Sequence, residues 1–389
     1  MRHQDDENRR LDARIVREVN QTITPNGIFP FGVFCCTKSM RFRTLPGTDL
    51  KLSEVGFGVW TLATNWWGEH TPEESVAMLR RARDLGINFF DTADTYGNGL
   101  GETLLLDAFG PNPEGLVYAT KFGYDIYNTS PEERRGQQEL PHRFDREFVR
   151  FACEQSLKRL GVEQIPLWQI HNARMNGVFE DEIWDVLDEL KREGKVGHIG
   201  VALGPANGWI QEGLGFLRHR PLESLQIIYN LFEQWPGNEF FPDAREKNVG
   251  LLVRVPHSSG MLEGHYTAET VFPPNDHRRH RPRTWLLNGI EKLNSLEWLT
   301  QGREATMGQQ AIKFILSEAQ VTSTLPNIYN LEQLEEFAAA PDLADLSGED
   351  LERLARLAEE NFGVPEPQMK VKGEAREVLE EWKRTRLVK

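Results

Sequence analysis

Cysteine is scarce. Three occur in 389 residues; Cys35 and Cys36 are adjacent and Cys153 stands far from them. Neighbouring cysteines match neither a disulfide framework nor a C-x-x-C metal site, so a reducing, cytoplasmic location is the expectation. Basic charge is short too. Lysine and arginine number 45 against 59 aspartates and glutamates, a net charge of −14. Such a chain has no general attraction to phosphate backbones, which argues against nucleic acid as a partner. No apolar run approaches the ~20 residues of a membrane span. Residues 27–36 are apolar but follow an acidic segment, which makes a poor signal peptide. His265, His277 and His280 have a spacing that fits no zinc pattern, so no metal is expected. The glycine-rich nucleotide turn is incomplete as well, because GFGVWTLAT lacks the third glycine of G-x-G-x-x-G.

What is present is a regular alternation. Residues 1–40 are charged and then broken by proline and glycine, and they read as a disordered extension with Met40 a candidate natural start. Beyond Arg41 the turn signal PGTD separates 41–45 from 50–52, a hairpin. Short apolar runs follow at 55–58, 87–90, 116–120, 165–170, 196–201, 225–228, 251–255 and 321–325. Amphipathic stretches lie between them, such as 71–85, which opens TPEE with Thr71 as N-cap, Pro72 at the first position and Glu74 three on. Buried strands each trailed by a helix imply a parallel sheet, and eight such units imply a closed (β/α)8 TIM barrel. The expected α/β organisation is an extension at 1–40, a barrel with an N-terminal β-hairpin plug at 41–345, and a C-terminal helical tail at 346–389. In the tail Leu351, Leu354 and Leu357 recur at helical spacing.

In such barrels the working residues sit at the carboxyl ends of the strands. Those ends supply Asp91 and Tyr96 in GINFFDTADTYGNGLGET, Lys121 in LVYATKFG and His171 in PLWQIHN. They also supply Gln226 and Asn230 in LQIIYN, and Arg254 and His257 in LLVRVPHSSG. Singly each has a plain reading: a turn cap, a solvated lysine, a core histidine, a structural ion pair. Together four of them make a proton-transfer set. Tyr96 is the proton donor, and Lys121 steadies the charge its oxygen gains on giving up the proton. Asp91 holds Lys121, and His171 orients the substrate oxygen or feeds the proton. Trp66, Trp67, Phe122, Tyr124 and His257 are candidates to line the mouth.

These segments, with GFGVWT, HIGVALG and TSTLPNIYNLEQLEEF, resemble the aldo-keto reductase family over roughly residues 41–340, in the family's order. Asp91, Tyr96, Lys121 and His171 match its catalytic tetrad. The resemblance implies a barrel that binds NADP or NAD without a Rossmann domain. It also implies an oxidoreductase transferring a hydride between that nicotinamide dinucleotide and a small-molecule carbonyl or alcohol substrate (aldehyde, ketone or sugar-like), with Tyr96 as general acid/base. Carried over by position, Val59 and Trp60 lie at the nicotinamide, and Gln226 bonds its carboxamide. Arg254 replaces an aromatic that stacks on the ring. Val255, Pro256, Gly260 and Leu262 follow the pyrophosphate, and Asn327, Gln333 and Glu336 belong to the adenosine end. Ala202-Leu203 stand where many members have Ser-Asn. The adenosine segment offers no cation, which makes dual cofactor use or NAD preference the expectation. The basic run DHRRHRPR at 276–283 is either a solvated loop or a lid over the cofactor phosphates that restores 2′-phosphate affinity. The alternative function is a cofactor-sensing regulatory or binding subunit with weak reductase activity.

Overall fold

A computed structural model describes residues 40–129 and 139–365. Most of the expected extension, and the tail from residue 366, lie outside that range. Among the described residues there are ten strands. β1 (Phe42–Thr44) and β2 (Lys51–Ser53) pair antiparallel as the expected hairpin. The others are β3 (Phe57–Gly58), β4 (Phe89–Asp91), β5 (Val117–Phe122), β6 (Ile165–His171), β7 (Val196–Ala202), β8 (Ser224–Ile228), β9 (Gly250–Arg254) and β10 (Val321–Leu325). They form one parallel sheet in chain order from β3 to β10. The sheet closes on itself. Val55 bridges Thr324 in parallel, Gly56 N donates to Thr324 O at 2.9 Å, and Thr324 N donates to Glu54 O at 2.9 Å. The eight-stranded barrel read from the alternation is the observed fold.

Several strand limits shift by one or two residues from expectation, and two of the differences have a visible cause. The run 55–58 becomes a two-residue strand and an isolated bridge, with Gly56 wedged so tightly that a Cβ there would fall 2.6 Å from the Phe89 ring. The run 251–255 ends at Arg254, because Val255 turns to φ 59° and its carbonyl accepts Asn230 Nδ2 at 3.0 Å. A β-branched residue in that region is strained, and nothing in the local sequence announces it.

Several helices begin where cap residues stand. Thr71 and Glu74 close a reciprocal capping box at the start of Pro72–Asp84, and Thr306 with Gln309 does so for Met307–Leu316. Asp145 caps Arg146–Leu160. In the tail, Gly348–Glu359 is helical and buries Leu354. The hairpin carries Leu45 and Leu52 into a buried cluster with Phe89, Val117, Ala119, Leu167, Leu252 and Leu325. That cluster fills the amino-terminal end of the barrel and leaves the carboxyl end for polar groups.

Candidate active site

Side chains alternate across a strand with period 2, so the positions that enter the barrel can be counted from the apolar cluster. From Phe89 the next inward residue on β4 is Asp91. From Val117 and Ala119 on β5 it is Lys121, and from Leu167 on β6 come Gln169 and His171. Leu252 on β9 leads to Arg254. The outward residues between them, Phe90, Tyr118 and Trp168, pack in the outer layer against the helices. One periodicity thus fills the bottom of the barrel with apolar side chains and its top with polar ones.

Lys121 is the centre of the polar layer. Its Nζ lies 2.5 Å from Asp91 Oδ1, 2.7 Å from Thr92 O and 3.3 Å from Tyr96 OH. Asp91 Oδ2 accepts from Gln169 Nε2 at 3.0 Å and Gln226 Nε2 at 2.8 Å. Burial opposes the charge on Lys121, but Asp91 and Tyr96 outweigh it and hold the ammonium above its ordinary range. His171 sets its ring edge-on to Tyr96 at 5.8 Å, and its buried Nδ1 has no partner among the described residues. Burial, then the charges of Lys121 and Arg254, hold this imidazole well below its ordinary range. It is therefore neutral at pH 7. The four residues converge on one site: an ammonium held by a carboxylate, a phenol at hydrogen-bond distance from it, and a neutral imidazole beside the phenol. This arrangement can pass a proton to an oxygen placed against Tyr96 and orient that oxygen.

Gln169 is the member the sequence reading missed. The signal was available, since Gln169 lies two residues before His171 on the same strand face. One wall of the site is Tyr124, stacked on His142 at 4.3 Å and edge-on to His171 at 5.2 Å. Asn172 Nδ2 donates to Tyr124 OH at 2.8 Å. Arg174 pairs with Glu139 at 2.7 Å and lies 3.9 Å over the Trp209 ring. Two candidates for the mouth point elsewhere. Phe122 is in the core, stacked on Trp168 at 3.9 Å, and His257 bonds Gly308 O at 3.1 Å beneath Phe337.

A model of the aldo/keto reductase family matches residues 54–359. The chain belongs to that family. It is 28% identical over 332 residues to an L-glyceraldehyde 3-phosphate reductase of Escherichia coli O157:H7, covering 81% of this chain and 91% of the relative. It is 28% identical over 334 residues to an NADH-specific methylglyoxal reductase of Escherichia coli K12, covering 82% and 99%. The glycerol dehydrogenase AKR11B4 from Gluconobacter oxydans superposes with a TM-score of 0.71 at 24% identity over 86% of this chain and 99% of that one, a likeness of fold.

As an aldo-keto reductase the chain is an oxidoreductase of carbonyl compounds that uses a nicotinamide dinucleotide. Its residues fit such a group. After β9, Ser258, Ser259 and Gly260 have φ of 48°, 60° and 89°. Successive backbone N–H groups in such turns form an anion-binding concavity. Those of Ser259 and Gly260 bond no other described residue, and Arg281 Nη2 reaches Ser259 Oγ at 3.4 Å. A Cβ at position 260 would sit 2.2 Å from Tyr266 OH, so only glycine fits there. Val255 and Pro256 lead into this turn, while the Leu262 side chain is fully buried in the core. Val59 N donates to Asp91 O at 2.9 Å, and the Trp60 ring meets Trp66, Trp67 and His277 edge-on. Asn327 is partly buried after β10. Gln333 donates to Glu263 Oε2 at 2.9 Å, and Glu336 accepts from Thr306 Oγ1.

The basic run is a packed strap. Asp276 caps the short turn His277–His280 and pairs with Arg278 at 2.6 Å. Arg278 lies 4.4 Å over the Trp67 ring, and His277 stacks on Trp66 at 5.5 Å. His277 N also donates to Trp66 O at 2.9 Å. Arg279, His280 and Arg281 face solvent. Among the described residues no group of three metal-ligating side chains occurs, and no helix is long and apolar enough to cross a membrane.

Proposed function

We propose that Tyr96 is the general acid/base of a reversible carbonyl reduction, with an aldehyde, ketone or sugar-like carbonyl as substrate. The observation that carries this reading is the contact of Lys121 Nζ with both Asp91 Oδ1 and Tyr96 OH. When bound, the dinucleotide supplies or takes the hydride at the carbonyl carbon. Tyr96 gives its proton to the substrate oxygen as that oxygen gains charge, and removes it in the oxidative direction. The Lys121 ammonium lies where the phenol oxygen becomes negative and stabilises it there. Asp91 keeps Lys121 charged and fixed, and Gln169 and Gln226 fix Asp91. His171, neutral with its Nδ1 free of described partners, aims the substrate oxygen at Tyr96 and does not serve as a proton store. Gln226, Arg254, the Ser258–Gly260 turn, Asn327, Gln333 and Glu336 are the residues assigned to hold the cofactor, with Val59 and Trp60 at its nicotinamide end. The buried free thiol of Cys153 suits a cytoplasmic location.

The test is Tyr96→Phe. The ring contacts remain, so the variant keeps its circular dichroism spectrum and melting temperature. Loss of a positioned acid lowers kcat by about 10²–10⁴-fold. A variant that folds and turns over aldehydes at the wild-type rate overturns the assignment.

A further inference from the structure

Several charged side chains at the mouth of this barrel are neutralised in pairs. Lys121 has Asp91 at 2.5 Å, Arg174 has Glu139 at 2.7 Å and Arg278 has Asp276 at 2.6 Å. Arg254 has no carboxylate at ion-pair distance among the described residues. Its protein bonds come from one nitrogen only, Nη2, which donates to Leu203 O at 2.6 Å and Pro205 O at 3.2 Å. Nε and Nη1 keep their donors free of described partners.

The position of this guanidinium is built. Arg254 follows Leu252 on the inward face of β9, beside Ile228 of β8. Gly204, at φ 147°, lies against it, and a Cβ there would fall 2.2 Å from Nη2. A side chain at 204 would thus push the arginine out. The groups that act on Arg254 electrostatically are Tyr96, Asp91, Tyr124 and Glu233, and Arg254 in turn helps to hold His171 neutral. With Lys121 paired to Asp91 and with His142 and His171 neutral, Arg254 is left on the substrate side of the mouth with Glu233 nearby but no carboxylate at ion-pair distance among the described residues.

A partly buried cation without a counter-ion implies an anion that arrives from outside. The cofactor diphosphate has its own candidate site at the Ser258–Gly260 turn with Arg281. We propose that the carbonyl substrate itself bears a compact oxyanion, a carboxylate or a phosphate, and that the free edge of Arg254 holds it while the carbonyl oxygen rests against Tyr96. A guanidinium edge offers parallel N–H donors that match two oxygens of one carboxylate or phosphate. Its face remains available for the nicotinamide ring, because a planar cation can stack and hydrogen-bond at once. This inference rests on the carbonyl reductase reading.

The experiment compares matched substrates with the purified full chain and either reduced cofactor: butanal against succinic semialdehyde, and glyceraldehyde against glyceraldehyde 3-phosphate. At least one anionic member is expected to exceed its neutral counterpart at least tenfold in kcat/KM, and the pair that does so tells carboxylate from phosphate. Arg254→Met is expected to lower that ratio about tenfold or more, whatever it does to overall turnover, and Arg254→Lys to restore it in part. In wild-type protein, succinate or inorganic phosphate should inhibit butanal reduction competitively with the aldehyde, and succinamide should not. Neutral substrates that match the anionic ones, or a ratio that Arg254→Met leaves unchanged, overturn the proposal and leave the reductase reading intact. No turnover of any carbonyl with either cofactor overturns both.

Discussion

At the scale of single residues, the candidate site was legible because its members end strands whose apolar runs are easy to count. Asp91, Tyr96, Lys121 and His171 were placed together from the sequence, and the structure brings them within contact of one another. Their supports were less legible. Gln169 lies inside a strand run, Thr92 contributes a backbone carbonyl, and the stack of His142 on Tyr124 joins the two ends of the one long connection between β5 and the helix Arg146–Leu160. His142 gives a test. Burial, aided by Arg174, pulls its imidazole down from 6.5 to about 4. A depressed histidine contributes stability that is present above the unfolded value and is lost as the pH falls through the folded one. The window is therefore pH 6.5 down to 4, and the shift corresponds to about 3 kcal/mol at most. The Tyr124 wall should loosen in the same window. His142→Phe keeps the stack and cannot titrate, so the fall of its melting temperature between pH 6.5 and 4 should be shallower than in wild type. An identical acid slope in the two proteins would show that His142 plays no part in it.

At the scale of elements, the segment after β10 and the strap act as a unit. The sequence showed that residues 327–337 lack a cation, but not what fills the space. The structure places Tyr329 against Trp67 at 5.8 Å, with its hydroxyl 3.3 Å from Glu263 Oε2. Glu263 comes from the loop after β9, more than sixty residues away in sequence, so no local pattern could join the two. Arg278 belongs to the basic run read as either a solvated loop or a lid restoring 2′-phosphate affinity, and it is bonded to Asp276 and Tyr266. A phosphate at this end would come against Tyr329 and the buried Glu263 behind it, where charge-assisted recognition needs a cation. A ribose hydroxyl needs no such cation. We infer from the missing cation that this end favours NADH. Fluorescence titration is expected to give a Kd for NADH about tenfold or more below that for NADPH, with Glu263→Gln narrowing the gap. Tighter NADPH binding by wild type would assign the exposed Arg279 and Arg281 to the 2′-phosphate instead.

At the scale of the whole molecule, a barrel must join its first strand to its last, and this step was the least visible in the sequence. The alternation of strands and helices predicts eight units, but an open sheet and a closed one share that alternation. Here the closure rests on a few named bonds. Among the described residues the Val55–Thr324 bridge, its flanking backbone bonds and Ser323 Oγ, which donates to Ser53 O at 2.8 Å, join the segment leading into β3 to β10, and β3 itself is two residues long. Arg43 in the hairpin reinforces that seam. Its Nε meets Glu54 Oε1 at 2.8 Å, its Nη1 reaches Glu318 O at 3.1 Å and Val321 O at 2.7 Å, and its Nη2 reaches Leu316 O at 2.7 Å. The last of these carbonyls ends the helix Met307–Leu316, where a cation also suits the helix dipole. Glu54 is nearly buried, with a side chain 6% exposed, and Arg41 remains as its other partner at 3.1 Å. Arg43→Ala therefore strips several carbonyls of a charged donor and leaves Glu54 half-paired. Such losses cost about 2–4 kcal/mol. Urea unfolding should show a lower midpoint with an unchanged slope, and Arg43→Lys should recover a minor part, because an ammonium cannot span carbonyls and carboxylate as a fork does. If the midpoint of Arg43→Ala shifts by less than about 0.5 kcal/mol equivalent, the range of ordinary surface substitutions, the β3–β10 bonds hold the barrel shut without the hairpin.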